Sequence, residues 1–385
     1  MTYSKTLTKG LIYVVSGLNP LFFLILFFLN FLVFPWKLKA AAADSSNLTV
    51  LETVNSFLGH WCSANDNYLY GIDYRNPARI VRKLETGQLV ETRGMINQAD
   101  TGALEIARIY GTSTPGLIFV VASSASNNFI LVRSADGGLT FEKVFVFGEG
   151  NNAGGTNSPN VRMLRGLLEL THDLPGGGGK GTLFIGEYNF YKPRTPGGLN
   201  DRVRIMKSED NGKTWIKVME WNTNGTNQVG HVHAMKQDPY TGEIYICVGD
   251  ANGKAGIIKW NGASAWSDNA TLKDLSGRTG FSVFTGSQRY RVCDVLFDEN
   301  YFYTFADTQT PNNRSGSESG IWRGAKDFSS YTRMNNHIFD YDPMHIGWFG
   351  VKIDNRFIFT TARETEGKSV WREANTQVYT SDDGL

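Results

Sequence analysis

The sequence predicts an all-β β-propeller built from four-stranded antiparallel blades, most simply six of them, with seven as the alternative count. Three observations lead there. One apolar strand phrase recurs along the chain. An eight-residue hairpin pattern occurs twice in full. The composition favours strands and tight turns, with 13% aromatic residues, 42 glycines and only 19% charged residues, since aromatics suit strands and Gly suits turns.

The recurring strand is YLYGIDY (68–74), LIFVVASS (117–124), TLFIGEY (182–188), EIYICVGD (243–250), YFYTFADT (301–308) and RFIFTTAR (356–363). Its spacing of about 50 to 65 residues is that of a four-stranded blade with its loops. Period-2 alternation within it is imperfect, as expected of central strands covered on both faces. Asp- or Gly-bearing turns precede several copies, as in DPYTGE (238–243). No linker interrupts residues 44–385, which therefore read as one domain.

The hairpin pattern is Ser134-Ala-Asp136-Gly-Gly138-Leu-Thr140-Phe141 and Ser208-Glu-Asp210-Asn-Gly212-Lys-Thr214-Trp215. Each copy follows an expected strand, FILVR or RVRIMK. An Asp side chain accepts hydrogen bonds from turn amides, Gly takes positive φ, and the aromatic ring tucks beneath the hairpin. These are folding residues rather than catalytic ones. A third copy begins at Thr380-Ser-Asp382-Asp-Gly384 and lacks the final Thr-aromatic pair. A last blade truncated at its outer strand is the expectation. Closure of that blade by exchange of residues such as Leu48 to Val54 is the alternative.

With these motifs the chain resembles the sialidase-like superfamily of Asp-box, or BNR-repeat, propellers. The resemblance implies a propeller over roughly residues 60–385. It also implies a range of roles: sialidases and other glycosyl hydrolases, sorting-receptor ectodomains, photosystem assembly factors. Sialidases carry an Arg-Ile-Pro-like motif on the first blade as part of a three-Arg carboxylate clamp. The nearest match, Arg79-Ile80-Val81, lacks the Pro and follows the central strand instead of preceding it.

Residues 1–43 read as a targeting segment. Lys5 and Lys9 precede the apolar run LFFLILFFLNFLVF (21–34), and small residues (Ala40 to Ala43) follow, as in a secretory signal. A retained transmembrane anchor is the alternative. Both place the chain outside the cytoplasm, secreted or on a cell surface or in a periplasm. The net charge of +1 argues against nucleic acid as partner, which would call for a basic face. Sequons at Asn47, Asn224, Asn269 and Asn313 mark surface positions at best. The run GGGGK (176–180) lacks the ending of a phosphate loop. The three cysteines, Cys62, Cys247 and Cys293, read as buried thiols, with a Cys247–Cys293 bridge as the alternative.

A ligand site belongs on the face opposite the hairpin motif, where first strands begin and second strands end. First-strand starts supply Arg162, Arg165, His231, His233, Arg291, Asp294 and His345. Second-strand ends supply Asp73, Tyr74, Glu187, Tyr188, Asp250, Asp307, Arg363 and Glu364. His231 and His233, two apart, share one side of a strand. They form a plausible metal pair, but no third ligand follows in sequence, so neither metal nor cofactor is expected. Packing around a channel is the bland alternative.

Arg165, Arg291 and Arg363 occupy equivalent ends of three repeats, where converging guanidinium groups would bind an acidic sugar bidentately. The alternative is solvated or blade-bridging arginines. Tyr191 and Arg194, in a long loop, suit stacking on sugar rings. The leading expectation is cleavage of glycosidic bonds in an acidic glycan or glycoconjugate, in the manner of an exo-sialidase-like glycoside hydrolase. Glu187, Tyr188, Asp250 and Asp307 are the hydrolytic candidates. A polysaccharide lyase using His231 or His233 as base and Tyr188 as acid is one alternative. A non-catalytic glycan- or protein-binding or assembly propeller is the other.

Overall fold

The computed structural model describes residues 50–51 and 60–363, followed by 378–381. Within the long stretch it omits 74–75, 77, 87–89, 97–102, 125–128, 148–166, 189–201, 223–228, 230, 250–252, 264–270, 308–317, 319, 335–344 and 354–355. Residues 1–43, expected as a targeting segment, therefore lie outside the described residues. No helix among them is long and apolar enough to cross a membrane.

Among the described residues six antiparallel sheets follow one another along the chain. The first contains β1 (Val50–Leu51), β2 (His60–Ser63), β3 (Tyr68–Ile72), β4 (Arg79–Leu84) and β5 (Val90–Met95). The second contains β6 (Ala103–Gly111), β7 (Ile118–Ser124), β8 (Phe129–Ser134) and β9 (Glu142–Val146). The third contains β10 (Leu167–Glu169), β11 (Leu183–Gly186), β12 (Arg202–Ser208) and β13 (Ile216–Asn222). The fourth contains β14 (Val232–Gln237), β15 (Ile244–Val248), β16 (Gly256–Trp260) and β17 (Phe281–Thr285). The fifth contains β18 (Val292–Phe297), β19 (Tyr301–Ala306), β20 (Ile321–Ala325) and β21 (Tyr331–Arg333). The sixth contains β22 (His345–Ile353), β23 (Arg356–Arg363) and β24 (Val378–Ser381). One short helix, α1 (Leu272–Leu275), precedes β17, and Thr271 and Asp274 close a capping box at its start.

Each sheet runs up and down in sequence order, and the first strand of one packs on the first strand of the next, as β10 on β14, β14 on β18 and β18 on β22. This is the β-propeller arrangement. Among the described residues five apolar clusters fill the seams between consecutive sheets, and the central strands β7, β11, β15 and β19 each divide their residues between two of them. Ile118, Val120 and Ala122 of β7 face the first sheet, whereas Phe119 and Val121 face the third. Ile244, Ile246 and Val248 of β15 pack on the third sheet, whereas Tyr245 and Cys247 pack on the fifth. Burial on both faces is why these strands read as unbroken apolar runs.

Polar ties supplement the seams. The Lys326 ammonium lies 2.9 Å from the Asp238 carboxylate, joining the fifth sheet to the turn after β14. Asp294 takes Lys236 at 2.8 Å and accepts the Gly350 amide at 2.9 Å, linking three sheets. That commits Asp294, one of the polar first-strand residues, to the frame.

The alternative of closing the last blade with residues from Leu48 to Val54 is corrected at the two of them that are described. Val50 and Leu51 pair with Trp61 and His60, so they extend the first sheet and do not complete the sixth. A fifth strand fits there because β2 still offers a free edge on that side.

Candidate functional site

The two complete hairpin motifs join the third and fourth strands of their sheets, between β8 and β9 and between β12 and β13. Ser134 Oγ donates to Asp136 Oδ1 at 2.7 Å and accepts the Gly138 amide at 2.9 Å. Asp136 Oδ2 accepts the Thr140 hydroxyl at 2.6 Å, and the Thr140 amide reaches the same carboxylate. The second motif repeats this: Ser208 to Asp210 at 2.7 Å, Gly212 amide to Ser208 at 2.9 Å, and Thr214 hydroxyl to Asp210 at 2.7 Å.

Burial disfavours the Asp136 charge, but bonds from Thr140, Ser134 and Leu139 outweigh it and hold the carboxyl below the usual range. At Asp210 the Thr214 amide and hydroxyl are the main cause of a strong depression. Phe141 packs at the edge of the seam between the first two sheets, and Trp215 packs beside Phe119 in the next seam. Trp215 Nε1 also donates to Gly212 O at 3.1 Å. Arg133 of β8 donates to the Asn211 carbonyl at 2.7 Å, fastening the second hairpin to the sheet before it. The motif residues thus bond within their own hairpins, and the second hairpin is tied to the neighbouring sheet. Of the incomplete third copy, Thr380 lies in β24 while Asp382 and Gly384 fall outside the described residues.

Strand register sets the opposite end. Ile118 pairs with Ser134 and Leu183 with Ser208, so second strands start beside the motif and finish away from it. At that far end Tyr188 bridges to His231, joining the end of the third sheet's second strand to the start of the fourth sheet's first strand. The two rings stack with centroids 4.2 Å apart. Nε2 of His231 lies 2.7 Å from Nε2 of His233, as expected for two residues on one side of a strand. His233 Nδ1 lies 2.9 Å from the Val292 carbonyl at the start of the fifth sheet.

There Cys293 Sγ donates to Asp307 Oδ2 at 3.3 Å, and Arg291 Nε lies 3.3 Å from the same oxygen. Tyr188, His231, His233, Cys293 and Asp307 are each at most 5% exposed, and the Arg291 side chain, at 17%, is the most open member. Register shifts at Val232/Ala234 and Val292/Val295 bend both first strands just where His233 and Cys293 leave the ladder.

Glu187 occupies a different place. Its side chain is fully buried, and both carboxylate oxygens bond Arg204, at 2.6 and 2.9 Å, with the Arg204 amide adding a bond at 3.0 Å. A carboxylate so engaged is an internal ion pair of the third sheet and does not fit a proton-transfer partnership with Tyr188. Adjacent strand residues face opposite ways, and here Tyr188 takes the site side.

The proposed arginine clamp is represented by Arg291. Arg363 pairs through its backbone with His345 at the equivalent end of the sixth sheet, and Arg165 lies outside the described residues, as do Asp250, Tyr191 and Arg194. No disulfide joins the three cysteines, and all three are buried. Cys293 is the site residue that sequence reasoning missed. Overlaying the repeats would have found it, because Arg291-Val292-Cys293 occupies the position of His231-Val232-His233: Val292 pairs with Ala306 as Val232 pairs with Val248. The lack of a third metal ligand along the sequence is likewise filled from the neighbouring sheet. His233, Cys293 and Asp307 offer ligand atoms within 4.8 Å of one another.

No family model matches the chain, and no curated protein matches it. Among solved structures, a GH74 xyloglucanase from Xanthomonas campestris is similar at 14% identity and TM-score 0.48, over 83% of this chain and 43% of that one. The GH93 α-L-arabinofuranosidase of Fusarium graminearum is similar at 13% identity and TM-score 0.31, over 70% of this chain and 61% of that one. Saccharomyces cerevisiae Sqt1 is similar at 9% identity and TM-score 0.40, over 83% and 74%. The chain spans 43% and 37% of the two GH74 enzymes it matches. At such identities the likeness carries no assignment of chemistry.

Proposed function

We propose that the chain is a carbohydrate-active propeller of the cell exterior that cleaves an acidic glycan at the site formed by the third, fourth and fifth sheets. The observation that carries this reading is the meeting of Tyr188, His231, His233, Arg291 and Asp307 from three consecutive sheets at one end. Arg291 is the most accessible of the group and is suited to receive the carboxylate or sulfate of a sugar. Tyr188 and His231 supply stacked acid and base groups for proton transfer beside it.

Two accessible carboxylates flanking a bond, the usual hydrolytic equipment, are not what the described residues offer, since Glu187 is consumed by Arg204. The His–Tyr pairing favours elimination, the polysaccharide-lyase reading, over sialidase-like hydrolysis. A panel of acidic glycans incubated with the full chain tests both. Elimination yields unsaturated sugars absorbing in the ultraviolet, while hydrolysis raises reducing ends without that absorbance. Activity should fall at least ~100-fold in His231→Ala and Tyr188→Phe. Glycan binding without turnover in the native chain would establish a binding propeller in place of an enzyme.

A further inference from the structure

We propose that His233, Cys293 and Asp307 form a binding site for a thiophilic divalent metal ion of the zinc class, held at the seam between the fourth and fifth sheets. Among the described residues this is the one group of three potential ligand side chains whose donor atoms lie within 4.8 Å of one another. The site does not depend on the glycan reading.

Three features of the cluster fit a metal. First, the donor set is imidazole, thiolate and carboxylate, the mixture that zinc accepts in four-coordinate sites. Bond lengths of about 2.3 Å to sulfur and about 2.1 Å to oxygen put those two atoms roughly 3.6 Å apart around a tetrahedral ion. Cys293 Sγ and Asp307 Oδ2 stand at 3.3 Å, so little movement is required of them. Second, His233 Nδ1 faces the Val292 carbonyl at 2.9 Å. A carbonyl only accepts, so Nδ1 carries the proton and Nε2 holds the lone pair, the arrangement that orients a metal-ligating histidine. Nε2 of His231, 2.7 Å away, can take the fourth position once its proton shifts to Nδ1. Third, Asp307 is 4% exposed, yet its Oδ1 accepts no hydrogen bond among the described residues. An acceptor buried in this way is costly unless something supplies positive charge.

Arg291 decides the class of ion. Its guanidinium already neutralises Asp307, with Nε at 3.3 Å from Oδ2, so charge alone draws no cation to the seam. Affinity has to come from bonds to sulfur and nitrogen, which selects zinc-like ions over magnesium or calcium. Binding displaces the Cys293 thiol proton to solvent and replaces the hydrogen bond between the two imidazoles with a metal bond to His233.

The test is a cobalt titration of the full chain after chelator treatment, followed by absorption spectroscopy with no glycan present. One equivalent of Co²⁺ should produce a near-ultraviolet thiolate-to-cobalt band and the visible bands of a four-coordinate ion, both abolished by Zn²⁺. Cys293→Ser should remove the near-ultraviolet band and weaken binding by at least ~10-fold, while Cys62→Ser should retain it. A folded native chain that gives no thiolate band overturns the proposal, as does a Cys293→Ser variant that keeps it. The native spectrum decides even if Cys293→Ser does not fold. Glycan turnover is measured separately, so failure here leaves that reading standing.

Discussion

His231 and His233 meet Nε2 to Nε2 at 2.7 Å, a geometry that admits one proton between them. Because His233 Nδ1 donates to the Val292 carbonyl, the neutral pair has one consistent tautomer set. His233 is protonated at Nδ1, and His231 is protonated at Nε2 and donates to its neighbour. Nitrogen-15 NMR of the metal-free chain at neutral pH should show this split, with opposite tautomers at the two histidines. Two identical tautomers would exclude the bond.

The hairpin carboxylates set an acid limit on stability. Asp136 and Asp210 both have depressed pKa values in the folded chain. Their contribution is therefore complete above the unfolded value of about 3.9 and is lost as the pH falls through the lower folded values. Melting temperature should drop below about pH 4, and Asp210→Asn should flatten part of that acid limb while lowering stability at neutral pH by about 1–2 kcal/mol.

Gly212 is the tightest point of the second hairpin. Its φ is +77°, and a Cβ placed there would lie 2.2 Å from Phe119 Cζ, a ring of the neighbouring sheet. Gly212→Ala should cost about 2–4 kcal/mol from the backbone and the clash together, visible as a lowered melting temperature. Combining it with Phe119→Leu should recover part of the steric share and none of the backbone share.

Glu187 separates frame from function. Its fully buried carboxylate neutralises Arg204, so Glu187→Ala leaves an uncompensated charge and should destabilise the chain by roughly 3–5 kcal/mol. His231→Ala should cost far less stability while removing activity. Equal melting temperatures for the two variants would contradict the division.

The propeller was legible in the sequence because its central strands are buried on both sides. Five of the six apolar phrases became the second strand of a sheet and YLYGIDY the third strand of the five-stranded first sheet, and both complete hairpin motifs fell between third and fourth strands. The site was legible only in outline. His231, His233, Tyr188, Arg291 and Asp307 do gather, but the gathering depends on register shifts in β14 and β18 that no local pattern announces. Cys293 escaped notice because a lone cysteine in an apolar strand looks like packing. Glu187 misled because its partner, Arg204, sits on the adjacent strand seventeen residues away, beyond any short-range spacing rule.

The bend at the start of the first strand recurs in the second, fourth, fifth and sixth sheets. Each recurrence of that bend leaves residues outside the ladder, His233 in the fourth sheet and Cys293 with Asp294 in the fifth. Equivalent positions then carry different groups, a pair of imidazoles in one sheet and a guanidinium and a thiol in its neighbour. Chemical variety at that end of the sheets therefore requires no new loops, only a change of residue at positions the backbone already sets apart.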